Sequence, residues 1–207
     1  DEKYFKRFYP DLYNPEEWAK IAKDAGLKYA VITTKHHEGF CLWDSKLTDY
    51  KATNTPIKKD LLREFVNTFR EEGIRIGFYY SLIDWHHPHY TIDKYHPLRN
   101  HPEKERLNKE RDMSIYRKYL HGQVKELLTE YGKIDLLFFD FSFPGPDGKD
   151  KDDWDSENLI KMIRELQPHI LINDRLDLPD AWDFKTPEQA VPYEWPEVNG
   201  KKVIWES

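Results

Sequence analysis

The chain of 207 residues carries 32 Lys and Arg against 38 Asp and Glu, a net charge of -6 spread along its length, which leaves no basic face for nucleic acid. No apolar run approaches the roughly 20 residues that cross a bilayer, and a single cysteine, Cys41, excludes an internal disulfide and any thiolate-based structural zinc. The length suits one domain, residues 1–207, yet a complete eightfold α/β barrel takes about 250 residues; the start at Asp1 and the end just after a strand-like Lys202–Glu206 lead us to expect a domain incomplete at both ends.

In chain order, Pro15 to Lys23 reads as a helix capped by Asn14 and stopped at Gly26, and the apolar Tyr29 to Thr33 follows as a buried strand. Asp60 caps a second helix, Leu61 to Glu72, with Leu62, Phe65, Val66 and Phe69 on one face and Gly73 at its end. Ile74 to Tyr80 is the next strand. One long helix is predicted from Glu103 to Tyr131, ended by Gly132 before a strand at Ile134 to Phe139. A helix from Ser156 to Leu166 then leads to a strand at Ile170 to Ile172, and a further strand is expected near Val203. Strands that are apolar on both faces and alternate with helices are parallel strands covered by helices.

An open doubly wound sheet and a closed barrel both fit this alternation. The strand ends favour the barrel, because each is followed by a polar and aromatic cluster: Lys35 to Phe40, Ser81 to His87, Asp140 to Pro146, and Asn173-Asp174-Arg175. In a barrel such tips converge on one site. No glycine-rich nucleotide-binding loop is present. The fold expected is therefore α/β, a (β/α)8-type barrel, incomplete in this chain.

The tips also suggest the chemistry. Asp140 ends an apolar strand, where a carboxylate in a low-dielectric pocket serves as a nucleophile or, more blandly, caps the next loop. His36 and His37 on an extended backbone diverge and would meet two different sugar hydroxyls; a metal site with Glu38 is the rival, but the spacing lacks the helical i, i+4 aim. Trp85 offers an aromatic platform, Tyr80 a hydroxyl at its own strand tip, and Arg175 a fixed cation that would keep a neighbouring carboxylate ionised or simply tie loop to barrel. Aromatic residues make up 15% of so polar a chain, which suits both core packing and sugar stacking. Glycoside hydrolysis needs a second carboxylate, about 5 to 5.5 Å from the first in retaining enzymes. Glu188 and Glu206 are the candidates, with Glu38 third.

These residues resemble the retaining α-L-fucosidases of glycoside hydrolase family 29. The similarity runs through Asn14-Pro15-Glu16-Glu17-Trp18, Thr34 to Trp43 with its Lys-His-His-Glu-Gly-Phe core, Asp60-Leu61-Leu62, Gly77 to Ser81, Asp84-Trp85, Asp135 to Asp140 and Asn173-Asp174-Arg175. The resemblance implies an exo-acting enzyme that removes terminal α-L-fucose from fucosylated oligosaccharides or glycoconjugates with retention, without metal or organic cofactor. Asp140 would be the nucleophile and Glu188, in a Thr-x-Glu segment, the acid/base. His36, His37, Tyr80, Trp85, Phe138 and Arg175 would hold the sugar. Phe138 stands where the family commonly has Trp, and the family's Phe-x-x-His-Trp-Gly strand, later barrel strands and β-sandwich have no counterpart in these residues. A sugar-binding module without catalysis is the alternative, and a metal-dependent hydrolase the third. Nothing in the residues specifies subunit assembly or compartment, and no signal-peptide pattern is visible.

Overall fold

A computed structural model describes residues 2–206. In chain order the elements are α1 (Glu2–Phe5), α2 (Pro15–Asp24), β1 (Tyr29–Lys35), α3 (Leu61–Glu71), β2 (Arg75–Ser81), α4 (Lys104–Lys109), α5 (Met113–Glu130), β3 (Leu136–Asp140), α6 (Lys151–Trp154), α7 (Ser156–Leu166), β4 (Leu171–Ile172), β5 (Glu197–Val198) and β6 (Lys201–Lys202). The helix starts follow the predicted side chains: Asn14 accepts from the Glu17 amide at 3.1 Å and Asp60 from the Arg63 amide at 2.8 Å.

The strands β1 to β4 form a parallel sheet in chain order. Alternate strand residues, among them Ile76, Phe78, Tyr80, Leu137 and Phe139, share one buried core with Leu62, Phe65 and Val66 of α3, Leu120 and Val124 of α5, and Leu159 and Ile163 of α7. The helices therefore cover one face only. On the other face Tyr29 and Leu171 stay 43% and 44% exposed. Sequential order with one-sided helices is an arc of a barrel; a doubly wound sheet would carry helices on both faces. Gly77 lies on the inner face, where an added Cβ would stand 2.8 Å from Val31 Cγ2, so the curving strands meet too closely for a side chain.

Two predicted elements differ. The long helix is broken, because Asp112 leaves helical geometry and its carboxylate accepts from the Ser114 amide at 2.8 Å, starting α5 afresh. The strand expected near Val203 is absent from the parallel sheet. Lys201 and Lys202 instead pair antiparallel with Glu197 and Val198, while Phe184 and Trp205 make single parallel bridges to Asn173 and Lys185. Short α6, closed by a reciprocal capping box between Asp150 and Asp153, lies in a stretch for which no element is predicted from the sequence.

Candidate active site

Side chains alternate along a strand, so parity decides what reaches the concave face. In the parallel register Tyr79 pairs with Phe138 and Ser81 with Asp140, which places all four on the inner face with Gly77 and Leu136. Tyr79 Oη donates to Asp140 Oδ2 at 2.6 Å. Its ring stacks on Phe138, with centroids 5.7 Å apart, and on His36 at 5.6 Å. Burial, together with the adjacent Asp140 carboxylate, pushes the Tyr79 pKa up, so the phenol stays a donor.

The expectation for Tyr80 is corrected. It is fully buried on the helix side, where its hydroxyl donates to Gln123 Oε1 at 2.8 Å. One step along the strand exchanges faces, and Tyr79 takes the place assigned to its neighbour.

The two imidazoles do not diverge. After Lys35 the chain turns, and the rings of His36 and His37 lie 3.9 Å apart, centroid to centroid. The turn closes at Gly39 with φ +84°, against which Asp84 packs so tightly that a Cβ would fall 2.2 Å from its Oδ1. Asp84 in turn accepts from the His86 and His87 amides and pairs with Lys35 Nζ at 3.2 Å, both side chains essentially without solvent contact. A buried ion pair, its ammonium also facing the Tyr80 ring at 4.4 Å, thus fastens the end of β1 to the loop after β2.

His37 is nearly buried, with Nδ1 2.6 Å from Ser81 Oγ. Ser81 has one proton and its hydroxyl donates to the Ile83 carbonyl at 2.9 Å, so His37 Nδ1 is the donor and Nε2 an acceptor. Burial lowers the His37 pKa to about 4, helped by the positive charges of His36 and Lys35 and opposed by Asp140. The neutral ring can receive a hydroxyl proton. His36 is half exposed and lies 3.3 Å from Glu38 Oε2.

Trp85 donates its backbone N–H to the His37 carbonyl at 2.8 Å and sets its ring edge-on to that imidazole at 5.4 Å. Its indole N–H is buried without a hydrogen-bond partner among the described residues. Phe141, directly after Asp140, adopts φ +79°, a conformation costly for any residue with a side chain. Its ring packs on His37 at 4.8 Å and on Tyr95 at 4.8 Å. Sequence reasoning passed over Tyr79 and Phe141; an aromatic residue directly after a strand-end carboxylate was the one available signal for the second.

Arg175 forms the opposite wall. Nη1 stands 3.9 Å from Asp140 Oδ1, Nε donates to Thr186 Oγ1 at 2.8 Å, and Nη2 donates to the Thr186 carbonyl at 2.9 Å and to Glu188 Oε2 at 2.6 Å. The Thr186 hydroxyl in turn donates to Asp174 Oδ1 at 2.8 Å. Just below, the Asn173 amide bonds both N–H and C=O of Phe139, at 2.9 and 2.8 Å, and so extends the ladder between β3 and β4 by side chain. Glu188 is thereby joined to Asp140 through one guanidinium. Glu206 is elsewhere: it bonds Tyr29 and lines a cavity with Tyr29 and Arg75, the first residues of β1 and β2, at the far end of the strands from Asp140. Among the described residues, no three His, Cys, Asp or Glu side chains converge as a metal ion would require.

The family profile described as alpha-L-fucosidase matches residues 2–207. The chain belongs to the α-L-fucosidase family. It is similar to α-L-fucosidase isoenzyme 1 from Paenibacillus thiaminolyticus, with 51% identity and a TM-score of 0.90 over 99% of this chain and 50% of that one. A fucosidase of Bacteroides thetaiotaomicron, solved as a covalent intermediate trapped with 2-fluoro-fucosyl fluoride in a glutamate-to-glutamine mutant, is 32% identical, with a TM-score of 0.80 over 98% of this chain and 47% of that one. Human tissue alpha-L-fucosidase is 31% identical over 173 residues, covering 82% of this chain and 34% of its own length. The chain thus spans about half of these solved relatives and a third of the human one. The two solved neighbours put the four-stranded arc within the (β/α)8 barrel of this family.

Proposed function

We propose that residues 1–207 form part of the catalytic barrel of an exo-acting α-L-fucosidase that removes terminal α-L-fucose from fucosylated glycans with net retention. The observation that carries the proposal is the Tyr79–Asp140–Arg175 arrangement beneath His36 and His37. Tyr79 occupies Asp140 Oδ2, whereas Oδ1 accepts no hydrogen bond among the described residues and faces the Arg175 cation at 3.9 Å. Oδ1 is therefore the attacking atom. Its lone pair forms a bond to the anomeric carbon as the glycosidic C–O bond breaks and Glu188 protonates the departing oxygen. In the second half, Glu188 takes a proton from water, the water oxygen attacks the same carbon, and Asp140 leaves as carboxylate.

Glu188 must release Arg175 to act, since its Oε2 is held by that guanidinium. His37 Nε2 accepts a hydrogen bond from one fucose hydroxyl and the exposed edge of His36 hydrogen-bonds another, Trp85 supplies a buried indole N–H, and Phe138 and Phe141 give apolar walls for the ring and its methyl group. No step uses a metal or organic cofactor.

Incubation with 2-deoxy-2-fluoro-α-L-fucosyl fluoride tests the assignment. Mass spectrometry should find one fluorofucosyl group on the peptide containing Asp140, none in Asp140→Asn, and α-L-fucose as the first anomer released from unmodified substrate. A label on another residue, or β-L-fucose first, would overturn it. Fucose binding with no turnover would select a sugar-binding module instead.

A further inference from the structure

Ser81, on the inner face, takes no part in the steps above. It pairs in register with Asp140, and the next amide, Leu82 N–H, donates to the Asp140 carbonyl at 2.9 Å, so the sheet itself sets its place relative to the nucleophile. Its hydroxyl is buried and fully used. Oγ donates to the Ile83 carbonyl at 2.9 Å, accepts from the Ile83 amide at 3.1 Å and lies 2.6 Å from His37 Nδ1. A hydroxyl has one proton and two lone pairs. Were that proton turned to His37, the buried Ile83 carbonyl would lose the one donor it has among the described residues.

We propose that Ser81 is a positioning residue that holds His37 in the Nδ1–H form, so that the site accepts a sugar only where the group against Nε2 is a hydroxyl with a proton to give. The inference rests on the fucosidase reading and specifies one group of its substrate. An imidazole whose Nδ1–H is engaged presents a lone pair at Nε2, and that nitrogen has no partner among the described residues. Burial lowers the His37 pKa to about 4, so near neutral pH the bond to Ser81, not protonation, decides what Nε2 offers. Three rings hold the plane of the imidazole: His36 at 3.9 Å, Phe141 at 4.8 Å and Trp85 at 5.4 Å. A fucose hydroxyl meets the lone pair by donating, and its own oxygen stays free to accept. A fluorine, or the oxygen of an ether or ester on the same carbon, has only lone pairs and is repelled. The contact therefore discriminates, since a site built to bond a polar group rejects an analogue that leaves it unpaired.

The test crosses Ser81→Ala with an aryl α-L-fucoside and its 2-, 3- and 4-deoxyfluoro analogues, reading release of the first equivalent of phenol so that slow hydrolysis of the 2-fluoro intermediate does not enter. Without Ser81 the ring is free to carry its proton on Nε2. kcat/KM for the fucoside should fall roughly five- to fiftyfold, whereas that for the one analogue with fluorine against Nε2 should fall by no more than about twofold. The electronic cost of fluorine is the same in both proteins and cancels from the comparison. A second readout needs no change at Ser81. Long-range proton–nitrogen correlation spectra of the unmodified protein at neutral pH, with the His37 signals assigned by their loss in His37→Gln, should show a protonated Nδ1 and a bare Nε2. Equal losses on all the substrates, or no loss on any, would overturn the inference, as would an Nε2–H imidazole in the spectrum. Failure of the unmodified protein to release phenol from the fucoside would overturn the fucosidase reading instead, with the tautomer still read by the spectrum.

Discussion

Tyr79 and Asp140 face one another across the β2–β3 register, and the phenol donates to the carboxylate at 2.6 Å. A hydrogen bond to a charged group contributes about 1.5–3 kcal/mol, and every 1.4 kcal/mol is a factor of ten. Tyr79→Phe should therefore lower kcat/KM for fucosides about ten- to hundredfold with the fold intact. Tyr80→Phe, which breaks a buried bond to Gln123, should lower the melting temperature and leave kcat/KM unchanged. Steady-state kinetics and thermal melts on the pair check this; matching kinetic losses would reject the face assignment.

How much of this was legible follows from the same two tyrosines. The strand Arg75 to Ser81 carries aromatic rings on both faces, Phe78 and Tyr80 toward the helices and Tyr79 toward the concave side, so its sequence has no clear polar alternation to say which tyrosine points inward. The helix starts, by contrast, depend on single side chains within a few residues, and Asn14 and Asp60 act as local chemistry dictates. The expected placements of Asp140 and Arg175 came from strand ends, where position along the chain sets position in space. The closeness of His36 and His37 depends on a turn packed against Asp84, 45 or more residues away, and no local pattern encodes it.

Three histidines make stability depend on pH. Burial lowers His37, His87 and His96 each to about 4, with the charge of Arg111 adding to the effect at His96. An unfolded imidazole titrates near 6.5. Between about 4 and 6.5 the unfolded chain therefore binds more protons, so stability is complete above that window and falls as pH drops through it. One histidine contributes up to about 1.4 kcal/mol per pH unit there. His96→Leu should flatten the fall in melting temperature from pH 6.5 to 4, read by calorimetry. The slope is the readout, because the substitution also removes an acceptor from the Leu98 amide. An unchanged slope would contradict the assignment.

The loops after β2 and β3 are joined by Lys149 and Asp93, 2.9 Å apart and 4% and 2% exposed. Removing one member of such a pair strands a buried charge, at about 3–5 kcal/mol. Lys149→Ala should unfold at markedly lower temperature or denaturant concentration, whereas the double variant Lys149→Met, Asp93→Leu should recover much of the loss. A double-mutant cycle by urea unfolding measures it, and additive losses would show that the two side chains are not coupled.

Arg175 bonds Thr186 and Glu188 with three donors while facing Asp140. A lysine keeps the charge but loses the planar fork. Arg175→Lys should cost about tenfold or more in kcat/KM and leave residues 183–188 less protected in hydrogen exchange. Unaltered exchange together with unaltered kinetics would mean that charge alone suffices there.

Glu188 and Glu206 separate most sharply in how the leaving group is activated. An acid/base residue is needed to expel a sugar alkoxide but not a fluoride ion, and once it is truncated a small anion can enter and attack the glycosyl intermediate without base assistance. Glu188→Ala should thus be severely impaired on a fucosyl disaccharide, form the intermediate from fucosyl fluoride readily, and recover turnover in azide with release of α-L-fucosyl azide. Glu206→Ala should behave as the unmodified protein in all three assays, because its carboxylate lies beside Tyr29 at the opposite end of the strands. The reverse pattern would transfer the role to Glu206 and require residues 203–206 to move from the far end of the sheet to the fucose site.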